Sequence, residues 1–157
     1  MSPPELQDTP STETAGALRI ELVGMEQLDV IRRMNRIIFE EERIINTFDR
    51  EDITIFIAFV DDEPVGFMLG YRESRTTFYS AKGGVLPGWR RRGISRQLLH
   101  VMMDHVREQG YRRFAYDTFP NKHPGMTVLG LDEGFTVTRA DYNSTYKDYR
   151  LRFEKKL

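Results

Sequence analysis

The sequence predicts a mixed α+β domain: a mostly antiparallel sheet that contains one parallel strand pair and carries amphipathic helices. Three observations lead there. Runs rich in β-branched and aromatic residues at 53–60, 65–71 and 76–85 follow one another through short polar links, the pattern of an antiparallel meander. An apolar stripe of helical period then runs from Ile94 to Val106 and stops at Gly110, ahead of another strand-like run at 112–118. A strand–helix–strand unit of this kind favours parallel pairing. Two last runs, 135–140 and 145–153, read as a closing hairpin.

Taken in order, residues 1–16 are rich in Pro, Ser, Thr and acidic side chains, and read as a disordered tail before a single domain over 17–157. Leu18-Arg19-Ile20-Glu21-Leu22 alternates, as a half-buried strand does. From Met25, Leu28, Ile31 and Met34/Asn35 fall on one helical face, widened by Val30, Ile37 and Ile38. Near Phe39 this helix gives way to a second helix or a loop over 40–49. The run 53–60 is too apolar to face water on either side, and Asp61-Asp62-Glu63-Pro64 turns the chain back. Residues 120–132 read as a short helix, with Gly125 and Gly130 against it.

Composition narrows the function. At 157 residues the chain suits one domain burying roughly 70% of its unfolded surface. Its 23 basic and 24 acidic residues give a net charge of -1, with no global pull toward nucleic acid or membrane. Having no cysteine excludes disulfides, thiol nucleophiles and Cys-based zinc sites. The three histidines, at 100, 105 and 123, give no basis for a metal site, so none is expected. No apolar run reaches membrane-span length and no signal pattern opens the chain, so a cytoplasmic location is expected.

The chemistry concentrates between Val85 and Leu99. A strand ends there, a basic Gly-containing segment follows, and an amphipathic helix begins. The first amides of a helix lack intrahelical partners, and together with the helix dipole they suit a phosphate. Gly93 permits close backbone approach, and Arg90 or Arg92 can add charge to phosphate oxygens. A solvated basic helix start is the plain alternative.

This segment resembles the acyl-CoA-binding motif of the GNAT acetyltransferase superfamily: Arg or Gln, two variable residues, Gly, one variable residue, then Gly or Ala. Here it reads Arg90-x-x-Gly93-x-Ser95, with Ser95 departing from the last position, after the Val85-x-Pro87 that commonly ends the family's fourth strand. The element order β-α-α-β-β-β-α-β-α-β-β is similar to the family layout. The resemblance implies helices on both faces of the sheet and a parallel fourth and fifth strand that splay around the thioester end of acetyl-CoA, the expected cosubstrate. It implies that backbone groups of Val85 and Leu86 pair with the pantetheine arm. The amides of Arg91, Arg92, Gly93, Ile94, Ser95 and Arg96 would then cradle the pyrophosphate.

A second family signature, an Asn on the helix after the fifth strand, ending in a Gly-Phe pair, is matched at its end by Gly134-Phe135. Counting back without gaps puts the Asn position on His123, with Asn121 two residues early; an N-cap is the plain role for Asn121. The Tyr that in many members protonates the departing thiolate falls on Gly130, so that acid is missing. Asp117 leads the candidates for general base, ahead of Tyr79 and Glu41, the last grouped with Glu40 and Glu42.

The function this implies is an acetyl-CoA-dependent N-acetyltransferase that moves an acetyl group directly to a primary amine, on a small molecule or a peptide, in a ternary complex. A homodimer through exposed late strands is compatible with it. The alternatives are an acyl-CoA sensor without turnover and, last, a nucleic-acid-binding domain that uses the basic run and Trp89.

Overall fold

The computed structural model describes residues 16–157. The tail expected over 1–16 lies, but for Gly16, outside them. Strand β1 is Leu18–Val23, and a 3-10 turn at Met25–Gln27 leads into helix α1, Leu28–Phe39. The meander follows as β2 (Thr54–Val60), β3 (Glu63–Arg72) and β4 (Thr77–Val85). A 3-10 turn at Pro87–Trp89 precedes α2 (Ile94–Glu108), then β5 (Arg113–Thr118) and α3 (Pro124–Asp132). The hairpin of β6 (Thr136–Asn143) and β7 (Asp148–Lys156) closes the chain. The seven strands form one sheet in the order β1-β2-β3-β4-β5-β7-β6. Only β4 and β5 pair in parallel. No helix among the described residues is long and apolar enough to cross a membrane.

Alternation along the strands supplies both faces of the sheet. Ile55 and Ile57 of β2 join Phe67 and Leu69 of β3 under α1, where Ile31 and Met34 meet them. Phe56 and Ala58, pointing the other way, join Met68, Phe78 and Phe114 under α2, whose Ile94, Leu98, Leu99, Met102 and Val106 line one stripe. Helices therefore cover both faces. Gly84 of β4 lets α1 approach closely, because a Cβ there would sit 2.9 Å from Ile38 Cγ2. At its far end α2 closes on Gly110 (φ 100), with Gly110 N donating to Arg107 O and Tyr111 N to Val106 O. That is the double hydrogen bond of a Schellman stop.

The stretch after α1 resolves as a loop rather than a second helix. Glu40 takes a left-handed conformation (φ 56) and its amide donates to Arg36 O, which ends α1. Asn35, fully buried on the last turns of α1, then donates its amide group to the carbonyls of Glu41 (2.9 Å) and Arg43 (3.2 Å). Those carbonyls bond a side chain instead of a helical ladder, so the loop stays irregular. Helix α3 starts at Pro124, four residues later than expected, since Lys122 N and His123 N both turn back to Phe119 O.

Asn35→Ala removes both loop tethers from a buried site, and the expected loss is about 2–3 kcal/mol of unfolding free energy in urea titration. A loss below about 0.5 kcal/mol would show that the loop is held by other contacts.

Candidate active site

The site is set by where β4 and β5 stop pairing. Their parallel register runs from Thr77↔Arg113 to Ser80↔Tyr116 and goes no further, although β4 continues to Val85 and β5 to Thr118. At the same point the β3–β4 register slips, from Leu69↔Lys82 to Gly70↔Ser80, leaving Ala81 as a bulge. A bulge bends its strand and increases its twist, which turns the end of β4 away from β5. Leu86 N donates to Val65 O of β3 (2.8 Å), and Leu86 O accepts from Trp89 N (2.9 Å). Both Leu86 groups are thus engaged. Val85, one residue earlier, directs its backbone groups away from β3 and into the gap. Its carbonyl accepts from Arg90 Nε at 3.1 Å, which leaves its N–H as the open group.

Beyond the gap, α2 begins without a side-chain cap. No amide from Arg91 to Arg96 has an acceptor among the described residues. Arg91 (φ 65) and Gly93 (φ 77) are both left-handed, and alternation of hand turns successive N–H groups toward a common concavity. Among the described residues nothing lies within 4 Å of a Cβ built on Gly88 or Gly93, so the concavity is open. A left-handed Arg91 is strained, a feature that concentrates at ligand sites. Ile94 anchors the helix start in the core, and Ser95 is half-buried beside it. The arginines divide. Arg90 folds onto Val85, Arg92 lies over the Trp89 ring (4.8 Å), and Arg96 pairs with Glu133 and, at 3.5 Å, Asp132 of α3. Only Arg91 has no ion pair or side-chain hydrogen bond among the described residues.

Two polar pairs sit on the α1 face of the sheet at the gap. Tyr79 Oη donates to Asp117 Oδ2 at 2.5 Å, across β4 and β5. Burial, then the Asp117 charge, push the Tyr79 hydroxyl above its ordinary value, so the phenol stays protonated and serves as a donor. The other Asp117 oxygen is buried and has no partner among the described residues. An incoming N–H would satisfy it. In the second pair, Lys82 Nζ binds Glu41 and donates to Arg43 O at 2.8 Å. Of the three glutamates, Glu41 alone turns inward. Glu40 is the α1 terminator, and Glu42 bonds Arg36 on the surface.

Asn121 ties to Asp148 at 2.9 Å, anchoring the β6–β7 hairpin, while His123 takes the position before Pro124 at the start of α3. The His123 ring meets Phe39 edge-on at 5.5 Å. Burial, then the charges of Lys122, Arg90 and Lys82, hold its pKa below the usual histidine value. Gly130 has a clear structural cause: a Cβ there would lie 2.1 Å from Tyr116 Oη and 3.1 Å from Phe153 Cδ1. Tyr116, buried and stacked on Phe153, donates its hydroxyl to Met126 O at 2.8 Å. Neither Tyr116 nor Lys82 figured among the expected site residues. The available signal for Lys82 was a charged residue inside an otherwise uncharged strand.

A profile of the Acetyltransferase (GNAT) domain family matches residues 41–120. A comparison with curated proteins finds no match. Among solved structures, the ribosomal-protein-S18-alanine N-acetyltransferase from Escherichia coli superposes with a TM-score of 0.78 at 14% identity, covering 89% of this chain and 94% of its own. The IAA acetyltransferase from Bacillus cereus ATCC 14579 gives 0.78 at 16% identity over 90% of this chain and 100% of its own. Arabidopsis thaliana NAA60, solved with acetyl-CoA, gives 0.72 at 17% identity over 90% and 99%.

The Gly130–Tyr116 contact is open to a double-mutant cycle. Gly130→Ala should cost about 1–3 kcal/mol of stability through overpacking. Tyr116→Phe removes the obstructing oxygen, so the double variant should be more stable than the sum of the single effects by about 0.5 kcal/mol or more. Strict additivity would mean that the hydroxyl does not fill this space.

Proposed function

This chain belongs to the GNAT acetyltransferase family, and on that premise we propose that it is an N-acetyltransferase that moves the acetyl group of acetyl-CoA directly to a primary amine. The observation that carries the reading is the row of unpartnered amides at the start of α2, just beyond the strand end where β4 parts from β5. The amides of Arg91 to Arg96 hold the diphosphate, with Arg91 as the free cation nearest it. The open space over Gly93 admits the phosphates, and the N–H of Val85 pairs with the pantetheine arm in the gap.

Acetyl-CoA supplies the activated thioester; the chain orients the reactants and moves protons. Asp117 acts as general base through its unpartnered oxygen, while the Tyr79 hydroxyl fixes the carboxylate in place. Much of the acceleration comes from alignment, since an amine held at a thioester needs little else once deprotonated. The acceptor is a small-molecule or peptide amine that enters on the α1 face, where the loop after α1 meets the β6–β7 turn through Arg43 and Tyr146. The neighbours' names point to different acceptors, a ribosomal-protein-S18 alanine in one and IAA in the other. A cytoplasmic location belongs to the same reading, as does a homodimer through the exposed β6 edge.

A specific observation also favours a sensor without turnover: no side chain fits at position 130 to protonate a leaving group. Release of free thiol from acetyl-CoA across an amine panel separates the two readings.

Acetyl-CoA in excess should raise the melting temperature of the wild-type chain, because it binds the folded state only. Gly93→Asp, which adds a negative charge and a side chain to a left-handed position, should abolish that rise; a full rise in the variant would contradict the placement of the diphosphate. Asp117→Asn should keep the rise and lower kcat by about 10²–10⁴-fold in the thiol-release assay. Unchanged turnover would remove Asp117 as the base.

A further inference from the structure

We propose that Lys82 is the proton donor to the departing sulfur, in the role for which position 130 has no side chain. This rests on the acetyltransferase reading above. Lys82 lies on β4 two residues past Ser80, the last residue paired to β5, and beyond the Ala81 bulge. Its cross-strand partner Leu69 belongs to the cluster under α1, so its side chain rises from the same face as the Tyr79–Asp117 pair. Only 13% of that side chain is exposed. An ammonium has three N–H donors. Glu41 and the Arg43 carbonyl take two, and the third has no acceptor among the described residues. The Phe39 ring stands 4.6 Å from Nζ and shields it from water on that side.

The pair is part-buried, with 31% of the Glu41 side chain exposed, and a buried ion pair is weak ground for stability. An ion pair taken out of water rarely outperforms apolar side chains of the same volume, so a spare donor at the gap points to a ligand. Three other groups near the gap have their donors engaged or are poor donors, and the Tyr79 hydroxyl already gives its hydrogen to Asp117 Oδ2. Tyr116 gives its hydrogen to Met126 O and is 3% exposed. His123 is held toward its neutral form, and Arg90 is folded onto Val85.

The amine nitrogen forms a bond to the carbonyl carbon, and the carbon–sulfur bond breaks with its electron pair staying on sulfur. Lys82 Nζ–H gives its proton to that sulfur, becoming a neutral amine beside the Glu41 carboxylate, and regains a proton from water. The proton lost by the acceptor nitrogen goes to Asp117.

The test does not depend on turnover. Coenzyme A with a free thiol is bound to the wild type, to Lys82→Met and to Lys82→Met/Glu41→Gln, and its ionisation is followed by thiolate ultraviolet absorbance against pH. The double variant removes both charges, so neither is left buried alone. A cation at the sulfur stabilises the thiolate, so the bound thiol should titrate about one pH unit lower in the wild type than in either variant. In turnover, both variants should lose about 10²-fold in kcat with little change in KM for acetyl-CoA. Lys82→Arg should keep the lowered thiol titration and still lose turnover, because a guanidinium does not release its proton. Identical thiol titration in wild type and variants, with coenzyme A bound to all, overturns the assignment. Failure of coenzyme A to bind the wild type overturns the acetyltransferase reading, and Lys82 falls with it.

Discussion

Everything at the candidate site depends on the parting of β4 from β5 after Ser80 and Tyr116. A sheet that kept pairing would satisfy the backbone groups of Val85 with β5 and leave no gap. Two local features open it. The Ala81 bulge turns the end of β4, and the single parallel pairing places α2 directly after that end. The open backbone edge and the uncapped helix start thus lie next to each other along the chain, both with backbone N–H groups that have no acceptor among the described residues.

The two faces of the sheet divide the labour. On the α2 side Phe78, Phe114, Tyr116, Phe135 and Phe153 form a packed aromatic cluster that fixes where β5, β7 and α3 sit. Tyr116 is part of this cluster, and its hydroxyl excludes any side chain at Gly130. On the α1 side the same strands present Tyr79, Lys82 and Asp117, polar groups held near apolar ones. The packing side thus constrains the rest of the site: the buried Tyr at 116 leaves no room for a side chain at position 130.

The sequence alone made much of this readable where a residue's role is local. Among the described residues, alternation, apolar runs and turn residues located the strands, and helical period located α1 and α2; α3 has no such period and reads from the sequence only as a short helix over 120–132. Arg90-x-x-Gly93 marked the helix start because chain order places it there. Asp117 and Tyr79 could be named, but not their 2.5 Å contact, because parallel pairing joins residues 38 positions apart. The loop after α1 could not be told from a helix, since its shape rests on the Asn35 side chain reaching forward to Glu41 and Arg43. Lys82 was hidden for the same reason: its burial is made by Glu41 and Phe39, forty residues away in sequence. The reach of Arg90 to Val85 and of Arg96 to Glu133 likewise depends on side-chain packing that no motif encodes.

The central claim is that the amides opening α2 are a diphosphate site at the mouth of the strand gap. Backbone amide NMR of the ¹⁵N-labelled chain, titrated with acetyl-CoA, tests it most directly. The largest shift changes are expected at Arg91 to Arg96 and at Val85, with protection of those amides from hydrogen exchange. Shift changes confined to other surfaces, with the amides of Arg91 to Arg96 unmoved at saturation, would contradict it.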